Sequence, residues 1–213
     1  LPDSQICRIA VLNGLEIDRE EDYDFHSLIP VLNTPKALER WLLYSKRTRP
    51  YLKCILHVDT GMSRLGLSLE EANNLIPDIK HYTKELDIEY VMSHFACADE
   101  KDHPLNQKQK NDFEKISEHF IFSKLSLANS SGLFRDPSNH YDLVRPGMCL
   151  YGLNPLPEQD NPMEPVVKLD VPALQIRKVY QGESAGYGAS WGAPKDMVLA
   201  TVQLGYADGF LRS

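Results

Sequence analysis

Arg145 stands at the end of a short apolar run and directly before a Pro-Gly turn, in the stretch Asp142-Leu-Val-Arg145-Pro-Gly147. A strand that ends at Pro-Gly and is followed by apolar residues predicts a βα turn that opens a helix, where free backbone N–H groups and the helix dipole can bind a phosphate. Arginine is a permanently charged, planar donor, and beside a bound phosphate it can contact the ring of a phosphorylated cofactor. The stretch is therefore typical of a site for a phosphorylated cofactor. An arginine paired with a surface carboxylate is the alternative.

Three more polar side chains follow predicted strands, namely Arg64, His94 and Ser130. The carboxyl ends of parallel strands meet at one face of a barrel, so we expect these side chains and Arg145 to lie together there. Each also has a simpler interpretation. Arg64 fits a surface position in a glycine-rich turn, His94 fits a hydrogen-bonded core position, and Ser130 fits an ordinary turn.

The elements that would position these side chains alternate between strands and helices. Apolar runs that end at turn residues predict strands at residues 8–12, 28–32, 51–58, 88–93, 125–128 and 142–145, the first of them buried. Thr34 before Pro35 predicts a helix start, and so does the capping box of Ser68 and Glu71. Six repeats predict an α/β fold with a parallel sheet, as a (β/α)8 barrel of which about six strands are present. A doubly wound open sheet is the alternative, and its usual glycine fingerprint is missing.

The pattern changes after Gly152. A proline-rich stretch follows, helical periodicity stops, and extended runs at residues 166–180 and 197–204 predict strands. We therefore expect a domain boundary near residue 158. This boundary gives a partial α/β barrel at 1–158 and the first part of an all-β domain at 159–213.

The bulk composition excludes several classes of partner. With 213 residues, a formal net charge of -7 and a pI near 5.5, the chain offers no basic patch for nucleic acid or an anionic membrane. No apolar run reaches membrane length, and we expect a cytoplasmic protein. The four cysteines lie far apart, so we predict neither a metal site nor a disulfide, and we expect reduced thiols that are mostly buried.

Six motifs taken together resemble the alanine racemase family. They are Asp-Thr-Gly-Met-Ser-Arg-Leu-Gly at 59–66, Ser-His-Phe-Ala-Cys-Ala-Asp-Glu at 93–100, Ala-Asn-Ser-Ser at 128–131, Leu-Val-Arg-Pro-Gly at 143–147, Tyr-Gly at 187–188 and Gly-Tyr-Ala-Asp-Gly at 205–209. The resemblance implies a pyridoxal 5'-phosphate enzyme of fold type III, with an α/β barrel and a β domain. It implies a homodimer with shared active sites that interconverts L- and D-alanine by a two-base mechanism and supplies D-alanine for peptidoglycan.

The resemblance also implies a role for each candidate residue. Arg145 would face the pyridine nitrogen of the cofactor, and His94 would hydrogen-bond this arginine. Arg64 would lie near the substrate carboxylate, and Tyr206 would be the catalytic base that acts on the cofactor of the other subunit. The cofactor phosphate would be bound by Asn129, Ser130, Gly147 and Met148.

Two features depart from the family pattern. The lysine motif of the family, Lys-Ala-Asn/Asp-Ala-Tyr-Gly, does not occur in the chain, so we expect the chain alone to be inactive. The lysine that many members carbamylate is His57 here, and a histidine cannot form a carbamate. A broad-specificity racemase for serine or other small amino acids and a non-catalytic pyridoxal-phosphate-binding barrel are the alternative functions.

Overall fold

The computed structural model describes residues 7–210. It divides the chain into two compact units, Leu1–Val166 and Val167–Ser213. The domain boundary expected near residue 158 stays a prediction. Within the described residues, no helix is both long enough and apolar enough to cross a membrane.

The first unit is a parallel sheet with helices between its strands. The strands are β1 (Ile9–Val11), β2 (Leu28–Leu32), β3 (Leu52–His57), β4 (Leu86–Met92) and β5 (Lys124–Ser126), and the helices are α1 (Glu20–Phe25), α2 (Pro35–Arg47), α3 (Leu69–Leu75), α4 (Ile79–Tyr82), α5 (Pro104–Ser117) and α6 (Ser130–Arg135). The strands lie side by side in chain order, and every neighbouring pair is parallel. A sequential order without a reversal is the order of a β/α barrel rather than of a doubly wound sheet. The predicted barrel class is therefore confirmed, as a half-barrel of five strands.

Local sequence signals set the helix starts as predicted. The Thr34 hydroxyl accepts from the Ala37 N–H at 3.1 Å, with Pro35 at the first helical position of α2. Ser68 and Glu71 form the predicted capping box of α3, in which each side chain accepts from the backbone N–H of the other residue. These caps satisfy N–H groups that a helix start leaves without partners.

The strands bury side chains on both faces, as expected for a parallel sheet covered by helices. One face carries a small cluster of residues, Ile29, Val31, Ile55, Tyr90 and Met92. The other face belongs to the larger cluster beneath the helices, which includes Leu32, Trp41, Leu56 and Phe113. This packing fixes the strand ends from which the candidate site residues project.

Two predictions about strands were wrong. The first strand is not buried, because β1 pairs with β2 alone among residues 7–210 and Ile9 is 57% exposed. Residues 142–145 do not form a sixth strand. The Leu125 carbonyl accepts from two N–H groups, those of Asp142 and Leu143, while the Ser126 hydroxyl donates to the Leu143 carbonyl. Side chains therefore take the place of ladder partners, and the segment runs beside β5 without regular pairing.

The turn after Arg145 also differs from the prediction. Met148–Tyr151 is a 3-10 helix of four residues rather than an α-helix. It ends at Gly152, whose φ of 85° is a left-handed conformation that favours glycine. A phosphate site at this turn therefore depends on individual N–H groups rather than on a long helix dipole.

The second unit is built from strands, as predicted, and their pairing is antiparallel. β6 (Ala173–Val179) pairs with β9 (Met197–Val202), and β7 (Ser184–Ala185) pairs with β8 (Trp191–Gly192). A 3-10 helix, Tyr206–Asp208, follows β9.

Two of the four cysteines are buried, Cys54 and Cys149, so the expectation that most of them are buried was wrong.

Candidate functional site

Arg145 is partly buried at the carboxyl ends of β4 and β5, and its acceptors are all neutral. One terminal nitrogen of the guanidinium donates to the Ser126 hydroxyl. The other donates to the carbonyls of Ser93 and Leu127 and lies 3.5 Å from Nδ1 of His94. Burial lowers the pKa of Arg145 to about 10, which still leaves the guanidinium charged at neutral pH. The surface ion pair that was the alternative interpretation is therefore not the arrangement in the structure.

His94 lies beside Arg145, as the sequence predicted. Burial, followed by the nearby charges of Arg145 and Arg64, lowers the pKa of His94 to about 4. The imidazole is therefore neutral at neutral pH and can accept a hydrogen bond from a guanidinium. The role of His94 toward a cofactor stays a prediction.

Ser130 joins the turn after Arg145. Its hydroxyl oxygen accepts from the Gly147 N–H at 2.9 Å and from the Cys149 N–H at 3.4 Å. Ser130 is 4% exposed, and its O–H donates to no acceptor among residues 7–210. The N–H of Met148 likewise has no acceptor in this part of the chain. The predicted phosphate donors are thus close together, with the Gly147 N–H already bound to Ser130.

Asn129 caps α6 and ties it to the loop that carries His94. Its side-chain oxygen accepts from the Gly132 N–H at 2.9 Å, and its amide nitrogen donates to the Phe95 carbonyl at 3.2 Å. A Cβ on Gly132 would lie 2.9 Å from the Phe95 ring, so the helix start and this loop are in close contact. Asn129 therefore positions Ser130 in the structure, while its predicted contact with a cofactor stays a prediction.

Arg64 lies in a turn that Asp59 organises. One carboxylate oxygen of Asp59 accepts from three consecutive backbone N–H groups, those of Gly61, Met62 and Ser63. The Arg64 side chain is exposed and has no hydrogen-bond or ion-pair partner among the described residues. Its charge contributes, after burial and the charge of Arg145, to the lowered pKa values of both His57 and His94.

His57 is buried, and its hydrogen bonding defines its tautomer. The amide nitrogen of Asn33 donates to the carbonyls of Leu12 and Val31, so its oxygen faces His57 Nδ1 at 2.7 Å. Nδ1 must therefore carry the proton, and Nε2 is the acceptor. Burial and the charge of Arg145 lower the pKa of His57 to about 4, which makes this imidazole neutral.

Sequence reasoning missed three polar residues of the site. Ser126 contacts Arg145, Asn33 orients His57, and Gln109 contacts the His94 loop. For Gln109 a signal existed, because this polar residue stands four residues before Phe113 and therefore on the same face of α5 as the apolar residues Phe113 and Ile116. The partners of Ser126 and Asn33 are distant in sequence, and no local pattern marks them.

Tyr206 belongs to the second unit. It opens the 3-10 helix Tyr206–Asp208 and is 71% exposed. The Asp208 carboxylate accepts from the Gly205 N–H at 2.9 Å, which fixes the turn that presents Tyr206. Its hydroxyl has no hydrogen-bond partner within residues 7–210, and its catalytic role stays a prediction.

The lowered pKa values predict that the chain loses stability in acid. An unfolded histidine titrates near pH 6.5, whereas His57 and His94 titrate near 4 in the folded chain, so the unfolded state binds more protons between these values. The free energy of unfolding should fall as the pH falls from 6.5 to 4, by about 3 kcal/mol for His57 alone. Urea unfolding at a series of pH values measures this loss. His57→Asn should flatten the pH dependence, whereas the exposed control His119→Asn should not, and equal slopes in all three proteins would contradict the prediction.

The parallel half-barrel carries a cationic side chain and N–H donors at its strand ends, and the chain continues into antiparallel sheets. These features define an α/β-barrel protein with a β domain. The family model "Alanine racemase, N-terminal domain" matches residues 4–155, and "Alanine racemase, C-terminal domain" matches residues 166–213. The chain therefore belongs to the alanine racemase family.

Individual relatives agree with the family assignment. The chain is 45% identical over 210 residues to the alanine racemase of Rhodospirillum rubrum, covering 97% of the chain and 55% of the relative. It is 44% identical over 204 residues to a catabolic alanine racemase of Mesorhizobium japonicum, covering 96% of the chain and 53% of that protein. The chain thus spans about half the length of these curated relatives.

Solved structures give the same result. The alanine racemase of Bartonella henselae with covalently bound pyridoxal phosphate superimposes with a TM-score of 0.86 at 35% identity, covering 100% of this chain and 58% of that one. The biosynthetic alanine racemase of Pseudomonas aeruginosa gives a TM-score of 0.82 at 31% identity, covering 98% and 58%.

Proposed function

We propose that this chain forms the pyridoxal 5'-phosphate site of an alanine racemase, an isomerase that interconverts L- and D-alanine. The observation that carries the proposal is the environment of Arg145. Its acceptors are two carbonyls, a hydroxyl and a neutral imidazole, and no carboxylate contacts it within the described residues. An arginine cannot accept a proton, so it disfavours a protonated nitrogen on a ring that it faces. This chemistry suits racemisation, because a weaker electron sink limits side reactions such as transamination.

The donors near Arg145 fit a phosphorylated cofactor. The Ser130 O–H and the Met148 N–H have no acceptors in the described part of the chain, and a Cβ on Gly147 would meet no atom within 4 Å. Open space beside free donors is what an anionic phosphate requires. Ser130 and Met148 would donate to the phosphate, Gly147, whose N–H is bound to Ser130, would leave room beside it and complete the phosphate turn, and Asn129 would position Ser130. When bound, pyridoxal phosphate supplies the electron sink for loss of the substrate α-proton.

The remaining candidate residues would act on the substrate. Arg64 would stabilise the substrate carboxylate, because its exposed guanidinium has no other anionic partner in residues 7–210. Tyr206 would move the proton on one face of the substrate carbon, and the lysine of the family motif would move it on the other face. We propose that Tyr206 acts in the site of a partner subunit, so that the enzyme is a homodimer with shared sites.

Two finer parts of the proposal concern the role of the product and the substrate range. We propose that the enzyme works in the cytoplasm and supplies D-alanine for peptidoglycan, as a biosynthetic racemase does. The proteins similar to this chain include one racemase named catabolic and another named biosynthetic, and the catabolic role is the alternative to the one proposed. A broad-specificity racemase is the nearest alternative. A non-catalytic pyridoxal-phosphate-binding barrel is less well supported, because residues 166–213 match the C-terminal domain of the racemases.

A hybrid enzyme tests the proposed function. In this hybrid, the chain replaces the matching segment of the Rhodospirillum rubrum alanine racemase. We expect the purified hybrid to convert L-alanine to D-alanine when pyridoxal phosphate is present, and to convert L-serine much more slowly. Chiral chromatography of the products measures both rates. Equal rates would favour the broad-specificity alternative, and a folded hybrid that binds the cofactor without racemising either amino acid would favour the non-catalytic one.

For the chain alone, we expect cofactor binding without covalent attachment to a specific lysine. The family lysine motif is missing from the sequence, while the phosphate donors and Arg145 are present. Borohydride treatment followed by peptide mass spectrometry should therefore find no lysine that is modified in preference to the others, and no racemase activity should be measured. A pyridoxyl group on one particular lysine of residues 1–213 would contradict this expectation.

A further inference from the structure

Gln109 is a fully buried polar residue that holds the loop after β4. It lies on α5 and is 0% exposed. Its amide nitrogen donates to the His94 carbonyl at 2.8 Å, and its amide oxygen accepts from the Ala96 N–H at 2.9 Å. These two backbone groups lie beyond the end of the strand, where the sheet offers them no ladder partners. One side chain therefore fixes the peptides on both sides of Phe95.

The amide of Gln109 also reaches the loop after β3. Its nitrogen lies 3.4 Å from the Thr60 hydroxyl, and Thr60 is bonded to the Ser93 hydroxyl at 2.8 Å. Thr60 and Ser93 are each 1% exposed, so this network is closed to water. A Cβ on Gly61 would lie 3.5 Å from Cγ of Gln109, which means that the Asp59–Arg64 turn packs directly against this side chain.

The loop after β4 carries two groups that lie against Arg145. The Ser93 carbonyl accepts from the guanidinium of Arg145, and the His94 imidazole lies beside the same nitrogen. A shift of this backbone would move both partners of Arg145 together. A leucine or methionine would fill the same space in the core without burying an amide, so a purely packing role does not account for a glutamine at position 109.

We infer that Gln109 is a positioning residue, which holds His94 and the Ser93 carbonyl against Arg145 and so fixes the guanidinium relative to the cofactor ring. This inference rests on the proposed function for its effect on catalysis. Its geometric part concerns residues of this chain alone and can be tested without a cofactor.

The test uses the 213-residue chain with Gln109→Met, Gln109→Glu and the control Gln107→Met. Gln107 is on the same helix, is exposed, and bonds to Asn111 rather than to a loop. In Gln109→Met we expect the Ala96 amide to exchange with deuterium about tenfold faster, because its acceptor is lost. In Gln109→Glu a carboxyl oxygen still accepts from Ala96, so the protection should remain. NMR measures the exchange of this single amide in all three variants.

The titration of His94 separates positioning from packing. In Gln109→Met the loosened loop should let the imidazole reach water, so its NMR titration midpoint should rise from near 4 toward 6.5. The control Gln107→Met should leave the midpoint unchanged. If Gln109→Met lowers the melting temperature but leaves both the Ala96 exchange and the His94 titration as in the parent chain, Gln109 is a packing residue and the inference is wrong. If Gln109→Met does not fold, Gln109→Glu is the deciding variant. The inference then requires that the Ala96 amide keeps its protection from exchange and that the titration midpoint of His94 changes.

The hybrid enzyme adds a catalytic measurement. There Gln109→Met should lower kcat for alanine on the order of 10- to 100-fold, with a smaller change in KM, because misplaced groups cost more in the reaction than in binding. An unchanged kcat would overturn the catalytic part of the inference. A parent hybrid that does not racemise alanine would instead contradict the proposed function, while the amide exchange and the titration would still test the role of Gln109.

Discussion

Replacing Tyr206 with phenylalanine in the hybrid enzyme should lower alanine racemisation by roughly 10²- to 10⁴-fold, the usual cost of removing a general base. Racemisation requires a proton to leave one face of the substrate carbon and to arrive on the other, so each face needs its own base. The hydroxyl of Tyr206 has no hydrogen-bond partner in residues 7–210, and the side chain is 71% exposed. It is therefore free to serve a substrate, and the variant removes nothing but this hydroxyl.

The two directions of the reaction must lose rate together, because a catalyst cannot change the equilibrium. Isotope exchange in deuterated water shows which base was removed. If Tyr206 serves the L-isomer and the family lysine serves the D-isomer, D-alanine should still exchange its α-proton in the variant without inverting, whereas L-alanine should not. Proton NMR of each recovered enantiomer measures this difference.

Tyr180→Phe is the matched control for this experiment. Tyr180 is another exposed tyrosine of the second unit and lies outside the family motifs, so its loss should leave both exchange rates unchanged. Mixing the Tyr206 variant with a variant that lacks the catalytic lysine should restore part of the activity, because a heterodimer can assemble one site with both bases. Equal residual exchange from both enantiomers, without rescue on mixing, would show that the second base lies elsewhere.

Arg145→Glu should change the outcome of the reaction as well as its rate. A carboxylate facing the ring nitrogen favours the protonated ring, which is a stronger electron sink. We expect racemisation by the hybrid to fall by about 10²-fold or more, the cost of removing a preorganised charged donor. With excess pyridoxal phosphate present to accept the amino group, conversion of alanine to pyruvate should rise over the same turnovers. Chiral chromatography and a coupled pyruvate assay measure the two products.

Arg145→Met separates the two effects of this substitution. It removes the guanidinium, and with it the hydrogen bonds to Ser126, Ser93 and Leu127, but it introduces no carboxylate. It should therefore lower racemisation without a rise in pyruvate. If Arg145→Glu, like Arg145→Met, forms pyruvate no faster than the parent hybrid, Arg145 does not control the ring nitrogen.

The sequence predicted the parts of the site that depend on local rules. The caps at Thr34 and Ser68 formed as predicted, because each bond joins residues three positions apart. The placement of His94 and Ser130 followed from their positions after β4 and β5 of one parallel sheet, whereas Arg145 reaches this site from the segment beside β5 that is not a strand. General rules for helix starts and parallel sheets were sufficient at these positions.

Contacts between distant side chains could not be predicted in the same way. The segment at 142–145 has the apolar pattern of a strand, yet the Asp142 carboxylate and the Ser126 hydroxyl bind backbone groups that a ladder would have used. Asn33 and His57 are 24 residues apart, and no local pattern pairs them. The roles of Arg64 and Tyr206 come from family resemblance, and experiments on the hybrid must test them.

The protonation state of the cofactor ring tests the proposed site most directly. The hybrid enzyme would be loaded with pyridoxal phosphate carrying ¹⁵N in the ring, and the ¹⁵N chemical shift would be recorded at neutral pH. If Arg145 faces this nitrogen, the shift should be that of an unprotonated pyridine, and Arg145→Glu should move it toward the protonated value. A protonated ring nitrogen in the parent hybrid, unaffected by substitution of Arg145, would contradict the proposed site.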